Sequence, residues 1–147
     1  MTDEAGAVDA VRAPMAARVV DSGPHSLAVR IAVGGLDFPG DEPIAAGGTA
    51  TGPAPHDLLC AALAECTALT LRLYADQKRW PLEAIQVEVG HAREKDQSPA
   101  DLFRRTVRLV GPLDAAQRAR LLEIAERCPV HRTLTNGSRI TTREIVA

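Results

Sequence analysis

Aromatic residues are scarce in this sequence: one Trp, one Tyr and two Phe in 147 residues. Trp80, Tyr74, Phe38 and Phe103 are too few for a platform on which nucleic-acid bases stack. Basic charge is short as well. Seventeen Lys and Arg stand against 19 Asp and Glu, a net charge of -2, so no basic footprint exists for a phosphate backbone. Nucleic acid is therefore not an expected partner. Cysteine is limited to three residues. An odd count does not build a disulfide framework, which leaves catalysis, metal binding or packing. Unbroken apolar runs are missing too. None approaches the ~20 residues that a membrane span needs. The opening MTDEAGAVDAVRAP carries Asp3, Glu4 and Asp9 and lacks a basic start followed by an apolar run, so it does not read as a secretory signal. The expectation is a cytoplasmic chain with no membrane partner, whose thiols are kept reduced.

What the sequence has in quantity is Ala, Leu, Val and Ile, and the core must be built from these. The length fits one domain. Such a domain buries roughly 68–70% of the surface of its unfolded chain, which is enough to fold without a staple. Residues 1–13 read as a flexible lead, and 14–147 as the domain. Ala17 and Val19, then Leu27, Val29, Ile31 and Val33, alternate with polar or small residues across Ser22-Gly23-Pro24, the pattern of a β-hairpin. A Gly- and Pro-rich loop runs from Gly34 to Pro55, and loops of that length are often functional.

Pro55 suits a first helical turn and Asp57 complements the helix dipole. From Leu58 to Lys78 the chain contains no Gly or Pro, and Trp80-Pro81 ends the helix. Ile85, Val87 and Val89 alternate as a half-buried strand. In the next strand Phe103, Val107 and Leu109 line one face, with Arg104 and Arg108 on the other, and Gly111-Pro112 breaks it. Asp114 and Gln117 form a capping box for a helix reaching about Arg127. Cys128-Pro129 stops that helix. A short turn and Asn136-Gly137 then lead to a last strand, Ser138 to Val146. The order is β-β-α-β-β-α-β, an α+β class.

Counting from Cys66 along the long helix, Leu59, Ala62, Leu63, Leu69, Thr70 and Leu73 lie three, four or seven residues away and share its face. Cys66 is thus expected on a buried stripe. Leu121, Ile124 and Ala125 share a face with Cys128 in the same way. Buried free cysteine is commonly a small hydrophobe. Two inward-facing thiols on two helices could nevertheless meet, and Cys128 precedes Pro129 at a junction where it would feel the positive end of the following turn. Cys60 lies six residues before Cys66, about 600° of helical rotation, and reads as a core filler.

These residues carry a resemblance. The stretch GTATGPAPHDLLCAALAECTALTLRLYADQKRWPLEAIQVEV, the approach DEPIAAGG at Asp41 to Gly48, and CPVH at Cys128 to His131 after LLEIAER together resemble the signature of the OsmC-like family, which includes the organic hydroperoxide resistance proteins. The resemblance implies an intertwined homodimer with two long central helices. It implies that Cys66 is the reactive thiol, that Cys128 resolves the reaction, and that an arginine and an acid assist. Arg18 and Arg30 are the arginine candidates and Asp57 the acid. The organic-hydroperoxide branch has a glutamate directly after the proline matching Pro55, and here that place is His56. The pattern is that of the general OsmC-like branch.

The implied chemistry is thiol-dependent peroxide reduction without cofactor or metal. A thiolate attacks the peroxide and becomes a sulfenic acid, a second thiol condenses with it to a disulfide, and an external dithiol restores the pair. Leu59, Leu63 and Leu69 are the expected pocket walls, favouring an organic hydroperoxide. Two other readings stand beside this one. Cys66, Cys128, His131 and His56 are metal-ligand types, with a chelating Cys128-x-x-His131 spacing. Alternatively, the fold serves as a non-catalytic dimer that binds a small hydrophobic ligand near Cys66.

Overall fold

The computed structural model describes residues 17–146, so the lead expected over 1–13 lies outside the described residues. The chain divides into an N-terminal unit ending at Leu58 and a C-terminal unit beginning at Leu59, the boundary falling within a helix.

In the N-terminal unit three antiparallel strands, β1 (Arg18–Asp21), β2 (Val29–Val33) and β3 (Leu36–Gly40), form one sheet in chain order. The β1–β2 hairpin is present where expected, with a longer connection than a three-to-five-residue loop, residues 22–28. Strand β3 falls where the sequence reads as loop. Its cause is Gly34-Gly35, both with positive φ (58° and 79°), the backbone that a two-residue hairpin turn demands. Pro39 is accommodated because β3 is an edge strand.

The rest of the expected loop is ordered by one side chain. Asp41 is buried, and its carboxylate accepts from the hydroxyls of Thr49 and Thr51 (2.6 and 2.7 Å) and from the backbone N–H groups of Glu42, Thr49 and Thr51. The two threonine hydroxyls do most to hold this carboxyl well below the usual carboxylate range. Gly52 packs against the Pro39 carbonyl, where a Cβ has no room.

The C-terminal unit is built on α1 (Pro55–Lys78), the long helix whose later part enters its core. Leu63, Thr67, Leu71 and Ala75 recur every four residues and are the buried residues of α1. Leu71 and Ala75 join Leu82, Leu113, Leu121, Ile124 and Ala125 in one cluster, with Ile85, Val107 and Leu109 packed against it. Strands β4 (Ala84–Arg93) and β5 (Asp101–Val110) form an antiparallel pair, with Val89 opposite Arg105. The predicted capping box opens α2 (Ala115–Ala125), with both the Asp114 and Gln117 bonds made. By length and composition alone α1 is apolar enough to cross a membrane, although it holds no unbroken apolar run of that length. Its Leu, Ala and Cys raise the average, while Glu65 and Arg72 interrupt the apolar stretch.

The chain after α2 departs from expectation. Pro129 does not merely stop a helix; it starts one, α3 (Pro129–Asn136), with Cys128 as its N-cap. The strand expected over Ser138 to Val146 is absent. Those residues are irregular, and Ile140, Ile145 and Val146 are at least 80% exposed. The alternation is there, but the segment pairs with no strand among the described residues, and a strand cannot satisfy its backbone alone.

Two outcomes follow from this packing. Leu71 is fully buried, so Leu71→Ala should lower unfolding free energy by about 2–5 kcal/mol in urea titrations. Asp41 has a folded-state pKa below its unfolded one, so the stability it contributes is complete above the ordinary carboxylate range and is lost as pH falls. Urea midpoints measured from pH 6 down to pH 2 should decline more steeply for the native chain than for Asp41→Asn. Parallel declines would assign acid sensitivity to other groups.

Candidate active site around Cys66 and Cys128

Four backbone N–H groups at a helix start need partners outside the helix. In α3 the first is missing, because Pro129 occupies that position. The second, from Val130, donates to Cys66 Sγ at 3.5 Å, and the third, from His131, donates to Cys128 Sγ at 3.3 Å. Arg132 N–H returns to the Cys128 carbonyl. The two sulfurs thus take up the donors of one helical turn, which brings α1 and α3 together at the thiols. Cys128 is fully buried and Cys66 half-buried. None of the three cysteines is in a disulfide. Cys60, also half-buried, lies on α1 well over a turn before Cys66.

Burial pushes the Cys66 thiol above its ordinary range. The Val130 N–H opposes that shift, the neighbouring Cys128 thiol adds to it, and the Thr70 hydroxyl also opposes it. Cys66 is not on the centre of the buried stripe, as its spacing had implied. That stripe follows Leu63, Thr67, Leu71 and Ala75, and Cys66 sits at its border. Leu59, Leu63 and Leu69 consequently do not form one wall. Leu63 is buried, whereas Leu59 and Leu69 are 41% and 57% exposed.

A guanidinium stands at this site that the sequence reading missed. Arg105, on β5, has a side chain only 11% exposed. Its Nη1 donates to Thr67 Oγ1 at 3.0 Å, and its Nη2 donates to His131 Nδ1 at 3.2 Å. The Glu126 carboxylate lies 3.5 Å from Nη2 and 3.2 Å from His131 Nε2. Because Arg105 can only donate, His131 Nδ1 must accept, and the imidazole proton sits on Nε2, directed at Glu126. Both ring nitrogens are engaged, so neither is left to join Cys128 as a metal ligand. Thr67 Oγ1 donates to the Leu63 carbonyl at 2.7 Å and lies 3.9 Å from Cys128 Sγ.

Of the other expected residues, His131 is at the site through both its N–H and its ring. Asp57 Oδ2 accepts the Ala54 N–H at 2.9 Å, and His56 lies beside it in the exposed first turn of α1. Arg18 is exposed on β1, and Arg30 on β2 pairs with Asp37. Arg105 was legible after all. The period that puts Phe103, Val107 and Leu109 inward puts Arg105 inward with them, and a charge on the apolar face of a strand is the informative exception.

Fold and site together place the chain in a class of α+β thiol proteins with a cysteine pair carried by a long helix and a Cys-Pro helix start. The sequence matches the family model for OsmC-like protein over residues 48–143, and the chain belongs to the OsmC-like family. No curated protein matches it by sequence. Among solved structures it is similar to an OsmC-like protein from Mycoplasma pneumoniae (19% identity, 82% of this chain and 86% of that one, TM-score 0.66). It is similar also to organic hydroperoxide resistance proteins from Legionella pneumophila (20%, 81% and 87%, 0.63) and Elizabethkingia anophelis (20%, 82% and 87%, 0.62). At such identities the likeness is one of fold.

The Cys66 environment sets an observable. Iodoacetamide modification of Cys66, followed by peptide mass spectrometry, should rise with pH to a midpoint above that of free cysteine, about 8.5. Cys128→Ala should move that midpoint down, because the Cys128 thiol raises it. An unmoved midpoint would mean the two sulfurs do not sense each other.

Proposed function

We propose that the chain is a thiol-dependent peroxidase that reduces organic hydroperoxides through Cys66 and Cys128 and serves in oxidative-stress defence. The observation that carries this reading is the meeting of both thiols at one helix start, with Val130 N–H on one and His131 N–H on the other. Cys66, the more accessible sulfur, attacks the peroxide O–O bond. The oxygen it takes leaves it as sulfenic acid, and the alcohol departs with the other oxygen. Cys128 then attacks Cys66 Sγ, expelling water and closing a disulfide. A small dithiol returns both cysteines to thiols. The family resemblance implies an assisting arginine and an acid for ionising Cys66, with Arg18 or Arg30 and Asp57 as the candidates.

The functional unit in this reading is a homodimer. Leu59, Ala62, Cys66, Leu69 and Leu73 recur at alternating steps of three and four, the spacing of a helix-packing seam. They lie roughly 150° around α1 from the buried stripe. Leu59, Leu69 and Leu73 are exposed in the single chain, at 41% to 65%. A second copy of this helix is the occupant whose shape and period match. Leu59 and Leu69 then flank Cys66 with an apolar margin for an alkyl hydroperoxide, each buried CH₂ contributing about 0.8 kcal/mol.

Cys66→Ser should abolish turnover of cumene hydroperoxide with dithiothreitol as donor. Cys128→Ser should accumulate sulfenic acid at Cys66, detectable with dimedone, and Cys60→Ser should keep turnover. The native chain should turn over cumene hydroperoxide faster than hydrogen peroxide at equal concentration. No turnover of either peroxide would sink the enzyme reading and leave a ligand-binding dimer. Sedimentation should give a dimer at micromolar concentration, and Leu69→Glu with Leu73→Glu should yield monomer.

A further inference from the structure

The two sulfurs differ in a way that assigns them unequal parts when the disulfide is opened. Cys66 is half-buried and Cys128 is fully buried, so an external thiolate reaches the Cys66 sulfur. The electron pair of the broken S–S bond then goes to Cys128. Around that sulfur the donors are already in place: the His131 N–H at 3.3 Å and the Thr67 hydroxyl oxygen at 3.9 Å. The hydroxyl has one proton and two acceptors within reach. With the sulfur neutral, the Leu63 carbonyl, at 2.7 Å, holds it. That carbonyl can release it at little cost, because it also accepts the helical N–H of Thr67 four residues on. Arg105 donates to the same oxygen and makes the hydroxyl a stronger donor. Arg105 itself cannot drift, since the His131 ring and the Glu126 carboxylate hold its other arm.

We propose that Thr67, polarised by Arg105, turns its hydroxyl onto Cys128 Sγ as that sulfur becomes the leaving group of disulfide reduction. The proposal rests on the peroxidase reading for its place in a cycle, though not for its chemistry. The step balances as follows. One thiolate of a dithiol forms a bond to Cys66 Sγ, the Cys66–Cys128 bond breaks, and Cys128 departs with the electron pair. The second thiolate of the dithiol attacks the sulfur of the mixed disulfide, and Cys66 departs in turn. The dithiol is oxidised by two electrons to a disulfide, and the protons from its two thiols end on the two cysteines. Thr67 and Arg105 are positioning residues in this scheme. Neither touches the peroxide. Their effect is a hydrogen bond preformed for charge that appears only during reaction.

The test separates this scheme from the peroxidase reading by making the disulfide with diamide, which needs no peroxide. Reduction of the diamide-oxidised chain by dithiothreitol is followed by alkylation and mass spectrometry. Thr67→Val should slow it on the order of ten- to a hundredfold, the loss expected for a hydrogen bond to a charged group. Thr67→Ser should restore most of the rate, a rescue that a merely structural role would not produce, and Arg105→Gln should fall between. In the native chain, exposure to glutathione instead of a dithiol should leave the mixed disulfide on Cys66. Equal rates in native chain and Thr67→Val, an adduct on Cys128, or no Cys66–Cys128 disulfide after diamide would each overturn the proposal. A chain that fails with every hydroperoxide yet shows these rates loses the peroxidase reading and keeps the Thr67 assignment.

Discussion

The start of α3 is the point on which the site depends. A proline removes one N–H, and the next two N–H groups, left without helical partners, are satisfied by sulfur. Neither sulfur is a strong acceptor while protonated. The helix end is therefore satisfied only weakly, and it gains most when a sulfur there becomes negative. A satisfied cap of the usual kind, a Ser or Asp side chain, would stabilise the helix more and leave nothing for chemistry. The use of Cys128 as a cap trades local stability for donors that stay available.

Burying Arg105 needs compensation of its own. A guanidinium that is nine-tenths covered loses hydration, and unpaired it would destabilise the fold strongly. The structure distributes its donors over a hydroxyl, an imidazole and a carboxylate. Two of these, His131 and Glu126, flank Cys128 in sequence, and the third, Thr67, follows Cys66 directly. The cation is thus held by the chain neighbours of the two thiols, so a shift of either helix is felt at Arg105. This coupling comes from sequence adjacency at both ends and requires no intervening pathway.

Local signals read well from sequence. The long helix, the capping box at Asp114, the first hairpin and the β4–β5 pair all follow from short-range patterns. The site was legible to the extent that motif and helix position carried it: Cys66, Cys128 and His131 were named from the chain alone and are found together. What failed depended on context. The strand expected over Ser138 to Val146 has the right period but pairs with no strand among the described residues. Strand β3 was hidden behind the Gly and Pro content of its neighbourhood, although Gly34-Gly35 is itself a hairpin signal. The Cys66 face was misplaced because α1 carries two apolar stripes, and spacing from one residue cannot say which is buried. Arg105 was overlooked because only Arg104 and Arg108 were assigned to a face, although the same alternation puts Arg105 with Phe103 and Val107.

The two stripes of α1 have a consequence for how this sequence can change. Leu63, Thr67, Leu71 and Ala75 fix one side, while Leu59, Cys66, Leu69 and Leu73 occupy the other. A residue inserted between Leu63 and Cys66 would rotate everything beyond it by about 100°. Cys66 would swing towards the interior, Thr67 would leave Cys128, and the exposed leucines would fall out of line with Leu59, all in one event. Length variation, which surface loops absorb freely, is closed to this helix. Its reactive residue and its outward apolar row are set by the same angular register, so drift in one is drift in the other, and lineages carrying this helix can explore it by substitution alone.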